Sequence, residues 1–177
     1  MEPEKQDVSP TPSPEDAAVV PLPPAGISKI LGLLEIVDDH GGKEDIYKLA
    51  RELRDSFGEL IIIIKGAEVL GLVDTPGGDV VLQPLGKRVI ETPVNEKKRL
   101  IAERIAGLPL FAHFRRYLAG REDHAASRSE VLEEIVRILP TERPKPQYDA
   151  LVNWGRYAEI FTYSRDEDKL RLAEPLA

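Results

Sequence analysis

Three histidines, a run of basic residues and a short acidic cluster are the only side chains in this 177-residue sequence whose types suggest chemistry. His40, His113 and His124 lie far apart in the chain, and none has carboxylates at the spacing of a metal site. Asp166-Glu167-Asp168 lacks the glycine and the twelve-residue ligand pattern of a calcium loop, and reads as a solvated hairpin tip. Gly41-Gly42 and Gly77-Gly78 are turn residues, because neither belongs to a G-x-x-x-x-G-K-[ST] phosphate loop. There is no G-x-S-x-G elbow, and the absence of cysteine excludes a thiol nucleophile. The expectation is therefore no catalytic residue, no metal and no cofactor. What remains is recognition by the basic residues, with Lys97, Lys98, Arg115 and Arg116 as an anchor for an acidic protein surface or for phosphate.

The charge distribution narrows the choice of partner. The net charge of −7 conceals a basic stretch, residues 85–121, with nine basic side chains against Glu91, Glu96 and Glu103. The segments on both sides are acidic. A nucleic-acid reader places its positive charge on the module that enters the groove, and here it lies elsewhere. No apolar run approaches the roughly 20 residues that span a bilayer. The N-terminus has no secretory pattern, and the lack of cysteine suits a reducing compartment. These features predict a cytoplasmic protein with no direct membrane insertion.

The elements that must carry these residues can be read from periodicity. Residues 1–27 hold seven of the 15 prolines, several acidic side chains and few large apolar ones. They read as a disordered, Pro-rich acidic tail whose removal should leave folding intact. Ser28 is a plausible N-cap for a helix through Val37, with Ile30, Leu33, Leu34 and Val37 on one face. A second helix is expected over about Glu44–Arg54 and a third from Leu60 to Leu70. The strands Leu72–Asp74 and Val80–Leu82 should then flank a turn at Thr75–Gly78. Helix, helix, helix, hairpin is the winged-helix order. It recurs later in the chain, where Ser127-Arg128-Ser129-Glu130 matches a capping box, Pro144–Ala158 reads as a helix and Ile160–Leu172 as a hairpin.

The predicted fold class is mainly α with small β-wings: tandem winged-helix-like modules joined by helices. The first module covers 28–91, a basic helical connector 92–122, and the second module 123–177. In the connector, Thr92-Pro93 reads as an N-cap followed by a first-turn proline. Val94, Ile101 and Ile105 should form its apolar side. Trp154, Tyr157 and Phe161, at the joint between helix and hairpin, are expected to be structural anchors.

In a DNA-binding winged helix the third helix presents polar side chains to base edges. Here it reads Leu60-Ile61-Ile62-Ile63-Ile64-Lys65. With Leu60, Ile63, Ile64 and Ala67 facing inward, Ile61, Ile62 and Lys65 face out. They would form an apolar patch for a protein partner, or be buried against the second module. Either arrangement counts against DNA as a partner.

The run Asn153-Trp154-Gly155-Arg156-Tyr157-Ala158-Glu159-Ile160-Phe161, together with Gly41-Gly42, Glu68-Val69-Leu70-Gly71-Leu72 and Leu82–Gly86, resembles the AAA-associated C-terminal domain family. That domain follows the ATPase subunit of nitrate/sulfonate/bicarbonate-type ABC transporters. The likeness covers about residues 28–173. These residues contain no Walker A, signature loop or Walker B segment, so the resemblance transfers no ATP hydrolysis and no catalytic residue. It implies a non-enzymatic accessory or regulatory module. Such a module would act on the ATPase of an anion importer in trans, or pair with a second copy of itself, and would lie at the inner membrane only through that partner. A winged-helix DNA-binding regulator is the alternative. A sensor with a pocket between modules is a third, without a convergent polar cluster to support it.

Overall fold

The computed structural model describes residues 18–174, and each half of it builds the same six elements in the same order. The first half runs α1 (Ile27–Asp39), β1 (Lys43–Asp45), α2 (Ile46–Leu53), α3 (Phe57–Val69), β2 (Val73–Asp74) and β3 (Asp79–Leu82). The second half runs α6 (Pro109–Ala119), β4 (Ala125–Ser127), α7 (Arg128–Ile138), α8 (Pro144–Tyr157), β5 (Phe161–Ser164) and β6 (Lys169–Leu172). Between them lie α4 (Pro84–Glu91) and α5 (Val94–Ala106). Both sheets are antiparallel and three-stranded, ordered β1-β3-β2 and β4-β6-β5. The fold is mainly α with two small β-wings.

The duplication reaches individual hydrogen bonds. Leu82 N–H donates to Gly42 O and Leu172 N–H to His124 O, both at 2.9 Å. Gln83 N–H donates to Leu72 O and Ala173 N–H to Ile160 O, again both at 2.9 Å. At the C-terminal ends of α3 and α8 the chain reverses through a left-handed residue, Gly71 (φ 72°) in one copy and Glu159 (φ 58°) in the other.

Local chemistry explains where the helices start. Ser56 and Glu59 form a reciprocal capping box, so α3 begins at Phe57, three residues before the Leu60 expected from hydrophobicity. Ser127 and Glu130 form the anticipated box at the start of α7. Asp45 caps α2 by accepting from Tyr47 and Lys48 N–H, which moves that helix start from Glu44 to Ile46. Helix α1 starts one residue before Ser28. Its N-cap is Gly26 and makes no side-chain cap bond. Thr92 closes α4, its hydroxyl donating to Val89 O, and Pro93 rather than Thr92 is the N-cap of α5. Val94, expected on the apolar side of α5, is 76% exposed, and Leu100 joins Ile101 and Ile105 in the core instead.

Two expected boundaries move. The charge of α6 suggests a connector, yet this helix packs on β4 and β6 as the first helix of the second module. Residues 18–26, expected in the tail, run into α1 with Leu22 (3% exposed) and Ala25 inside the core. The rest of the expected tail, residues 1–17, lies outside the described residues. The buried side chains of both halves, from Leu22 through Leu170, form one continuous cluster.

Candidate functional site

Helix α8 carries the most informative side chains, and it uses them to hold the segment Leu22–Ile27, which enters α1. Gln147, 3% exposed, accepts from Leu22 N–H through Oε1 and donates from Nε2 to Leu22 O, both at 2.8 Å. Asn153 Oδ1 accepts from Ile27 N–H at 3.0 Å. Trp154 is fully buried and donates its indole N–H to Ala25 O at 2.7 Å. A backbone strand-like segment cannot be buried without partners for its polar groups, and α8 supplies them from side chains. The segment crosses α8 as a strap.

The residues after Trp154 are equally committed to architecture. Gly155 faces the ring of Phe161 so closely that a Cβ there would collide with it. Phe161 is buried and stacks on Phe111, with ring centroids 6.0 Å apart. Tyr157 is half-buried, and burial raises its phenol above the ordinary range. Glu159 turns the chain in the left-handed region and pairs with Lys98 at 3.0 Å. Tyr148, on the same helix, has its hydroxyl pushed up to about 12 by burial. The Arg128 guanidinium lies 5.3 Å from its ring centre, and the hydroxyl has no hydrogen-bond partner among the described residues.

The residues expected to bind a partner fall in three places. Ile61 and Ile62 are half-buried, Ile62 against the core, and only Lys65 of that trio is exposed. The isoleucines are thus partly covered rather than fully exposed. Lys97 is half-buried on α5, and Lys98 is engaged by Glu159. Arg115 and Arg116 are exposed on α6.

Arg115 also lines an open groove of about 960 Å³ between α5, α6, the end of α8 and the β5–β6 wing. Ala102 and Ala106 of α5 form one wall, and Ala158, Ile160, Leu172 and Ala173 the other. The groove holds three arginines, Arg99, Arg115 and Arg156. Arg99 is spent on Glu96 (3.3 Å) and Glu103 (2.7 Å). Arg115 and Arg156 have no carboxylate partner among the described residues. The groove therefore combines small apolar walls with a mixed rim, in which Glu103, Glu159 and Glu174 stand beside the three arginines. Sequence reading found Arg115 but neither Arg156 nor the alanines, since their convergence depends on how α5 crosses the second wing.

Two of the three histidines are drawn into ordinary polar networks, and His124 is exposed. His40 contacts Glu44 (3.2 Å) and Glu52 (2.7 Å), while His113 meets Glu134 at 2.7 Å. Arg137 forks onto Glu134, and with His113 it holds that carboxyl below the usual carboxylate range. Glu130 is held low by Ser127 N–H and by Arg121. Among the described residues no group of three His, Cys, Asp or Glu side chains converges as a metal site. No described helix is long and apolar enough to cross a membrane.

The chain matches the family described as the C-terminal AAA-associated domain over residues 47–164, from α2 to β5. That span is narrower than the 28–173 of the sequence resemblance, leaving the strap, α1, β1 and β6 outside it. No curated protein and no solved structure matches the chain.

Proposed function

The chain belongs to the C-terminal AAA-associated domain family, and from that premise we propose that it is a non-enzymatic accessory module that docks on an ATPase subunit and regulates it. The observation that carries this reading is how the family motif is used. Asn153 and Trp154 bind the strap backbone, Gly155 makes room for Phe161, and Glu159 turns the chain into the wing. A motif whose residues are consumed by architecture points to a scaffold that presents surfaces.

The finer reading follows the sequence resemblance. The ATPase is that of an anion importer of the nitrate/sulfonate/bicarbonate type, and the module acts on it in trans from the cytoplasmic side. The docking face favoured by the charge pattern is the α5–α6 side, where Arg115 and Arg116 are exposed beside the half-buried Lys97 and the Glu159-paired Lys98, rather than Ile61, Ile62 and Lys65 of α3. Exposed basic side chains steer an acidic partner and set its on-rate.

Co-expression with ATPase subunits of the same organism tests the proposal. A complex that survives gel filtration at physiological salt, and that changes the rate of ATP hydrolysis, supports it. Sequence-selective nanomolar binding of duplex DNA, with no ATPase complex, would instead make the chain a DNA-binding regulator.

A further inference from the structure

The likeness of the two halves continues past the wing, in sequence as well as in structure. After β3 the chain turns at Gln83 into α4, with Pro84 as its first residue and Leu85 half-buried against the core. This helix lies so close to the wing that a Cβ on Gly86 would collide with the carbonyl of Leu72. In the second half Ile160 and Leu172 stand where Leu72 and Leu82 do, by the hydrogen bonds that each pair makes. Leu172 is followed by Ala173-Glu174-Pro175-Leu176-Ala177. The triplet Pro84-Leu85-Gly86 thus recurs as Pro175-Leu176-Ala177, one residue later relative to the wing.

We infer that the groove between α5 and the second wing is closed by this chain's own residues 175–177, with Leu176 seated as Leu85 is in the first half. The occupant follows from where the chain leads. Ala173 and Glu174, the last described residues, already line the groove, so the next residue stands at its mouth. The chemistry agrees. Ala102, Ala106, Ala158 and Ile160 offer small apolar walls, and Pro175-Leu176-Ala177 brings no charged side chain to the mixed rim of arginines and glutamates. Proline at 175 suits the first turn of a helix, the role that Pro84 has in α4. The extra residue, Glu174, sets this turn further from Ile160, as the methyl of Ala177 requires where the first half has Gly86. The closure is independent of the ATPase reading, and it withdraws the groove from the surfaces open to a partner.

Nuclear Overhauser contacts in the methyl-labelled full chain test this directly. The Leu176 methyls should contact those of Ala102, Ala106 and Ile160. Leu176→Asp should abolish the contacts and leave the shifts of α1 to α4 unchanged. It should also open the groove to anilinonaphthalene sulfonate, an apolar dye. Dye affinity should rise roughly tenfold over wild type, the equivalent of one leucine no longer having to be displaced. The dye should shift the resonances of Ala102 and Ile160.

Leu176 methyls without contacts to the groove overturn the inference. Contacts found only between differently labelled copies in a mixed sample overturn it in favour of a second copy. Equal dye binding by wild type and Leu176→Asp, or dye bound elsewhere on the variant, also overturns it.

Discussion

The indole N–H of Trp154 donates to the carbonyl of Ala25, 129 positions earlier in the chain, at 2.7 Å. This bond ties the entry to α1 in the first module to the last helix of the second. With Asn153 on Ile27 and Gln147 on Leu22, it makes the strap a shared part of one core rather than a leader to it.

Removing the strap should therefore destabilise the whole protein. A chain starting at residue 27 loses Leu22 and Ala25 from the core and both hydrogen bonds that Gln147 makes to the strap backbone. Compared with a chain starting at residue 18, the expected loss is about 3–5 kcal/mol. Thermal denaturation of the two should differ by roughly 10 °C. Equal melting would mean that α8 does not hold the strap.

Trp154→Ala should cost about 3–5 kcal/mol, and Trp154→Phe about 1–3 kcal/mol, because Ala25 O then loses its donor in a buried place. Hydrogen exchange separates the two effects. In Trp154→Phe the amides of Leu22 and Ile27 should exchange faster, whereas those of α7 should be unaffected. A uniform rise across the protein would indicate simple global destabilisation.

Glu159→Gly should be neutral or stabilising by about 0.5–1 kcal/mol. Glu159 stands at φ 58°, where its counterpart is Gly71 at φ 72°. Relieving left-handed strain in an L-residue is worth roughly 1–2 kcal/mol, offset by the extra freedom of glycine in the unfolded chain. The lost pair with Lys98 is exposed and contributes little. Urea denaturation measures the difference, and a loss above about 1 kcal/mol would contradict the equivalence of the two turns.

Acid should weaken the contact between His113 of α6 and Glu134 of α7. Glu134 is held below its ordinary 4.5 by Arg137 and His113. Its folded-state value being depressed, its contribution to stability is present above about pH 4.5 and disappears as pH falls through the lower folded value. Stability measured from pH 6 down to pH 3 should fall less steeply in Glu134→Gln than in wild type. Parallel curves would remove Glu134 from the acid response.

Much of this architecture is legible in the residues. The Ser127–Glu130 capping box, the stripes of α1 and α6, and the hairpins after α3 and α8 are all matters of local pattern. Three-residue strands are not: β1 is Lys-Glu-Asp, and only its pairing with β3 makes it a strand. The strap is hidden because it ends a Pro-rich segment, while its burial depends on Gln147 and Trp154 more than a hundred residues away. Helix α6 looks like a connector because Arg115 and Arg116 are conspicuous, yet Leu110, Phe111, Phe114 and Leu118 decide its place. The half-burial of Ile61 and Ile62 reflects packing around α3, which a single-helix projection leaves out.

The most direct test of the central claim is a sedimentation-velocity titration of this chain against the ATPase subunits of its own organism, with ATP turnover measured on the same samples. The expected result is a stoichiometric complex with at least one ABC-type subunit, whose hydrolysis rate changes several-fold on addition of the chain. The complex should weaken as ionic strength rises from low to physiological salt, since exposed basic side chains steer it. Independent sedimentation with every subunit, and unchanged turnover, would contradict the assignment of this protein as an ATPase-docking module.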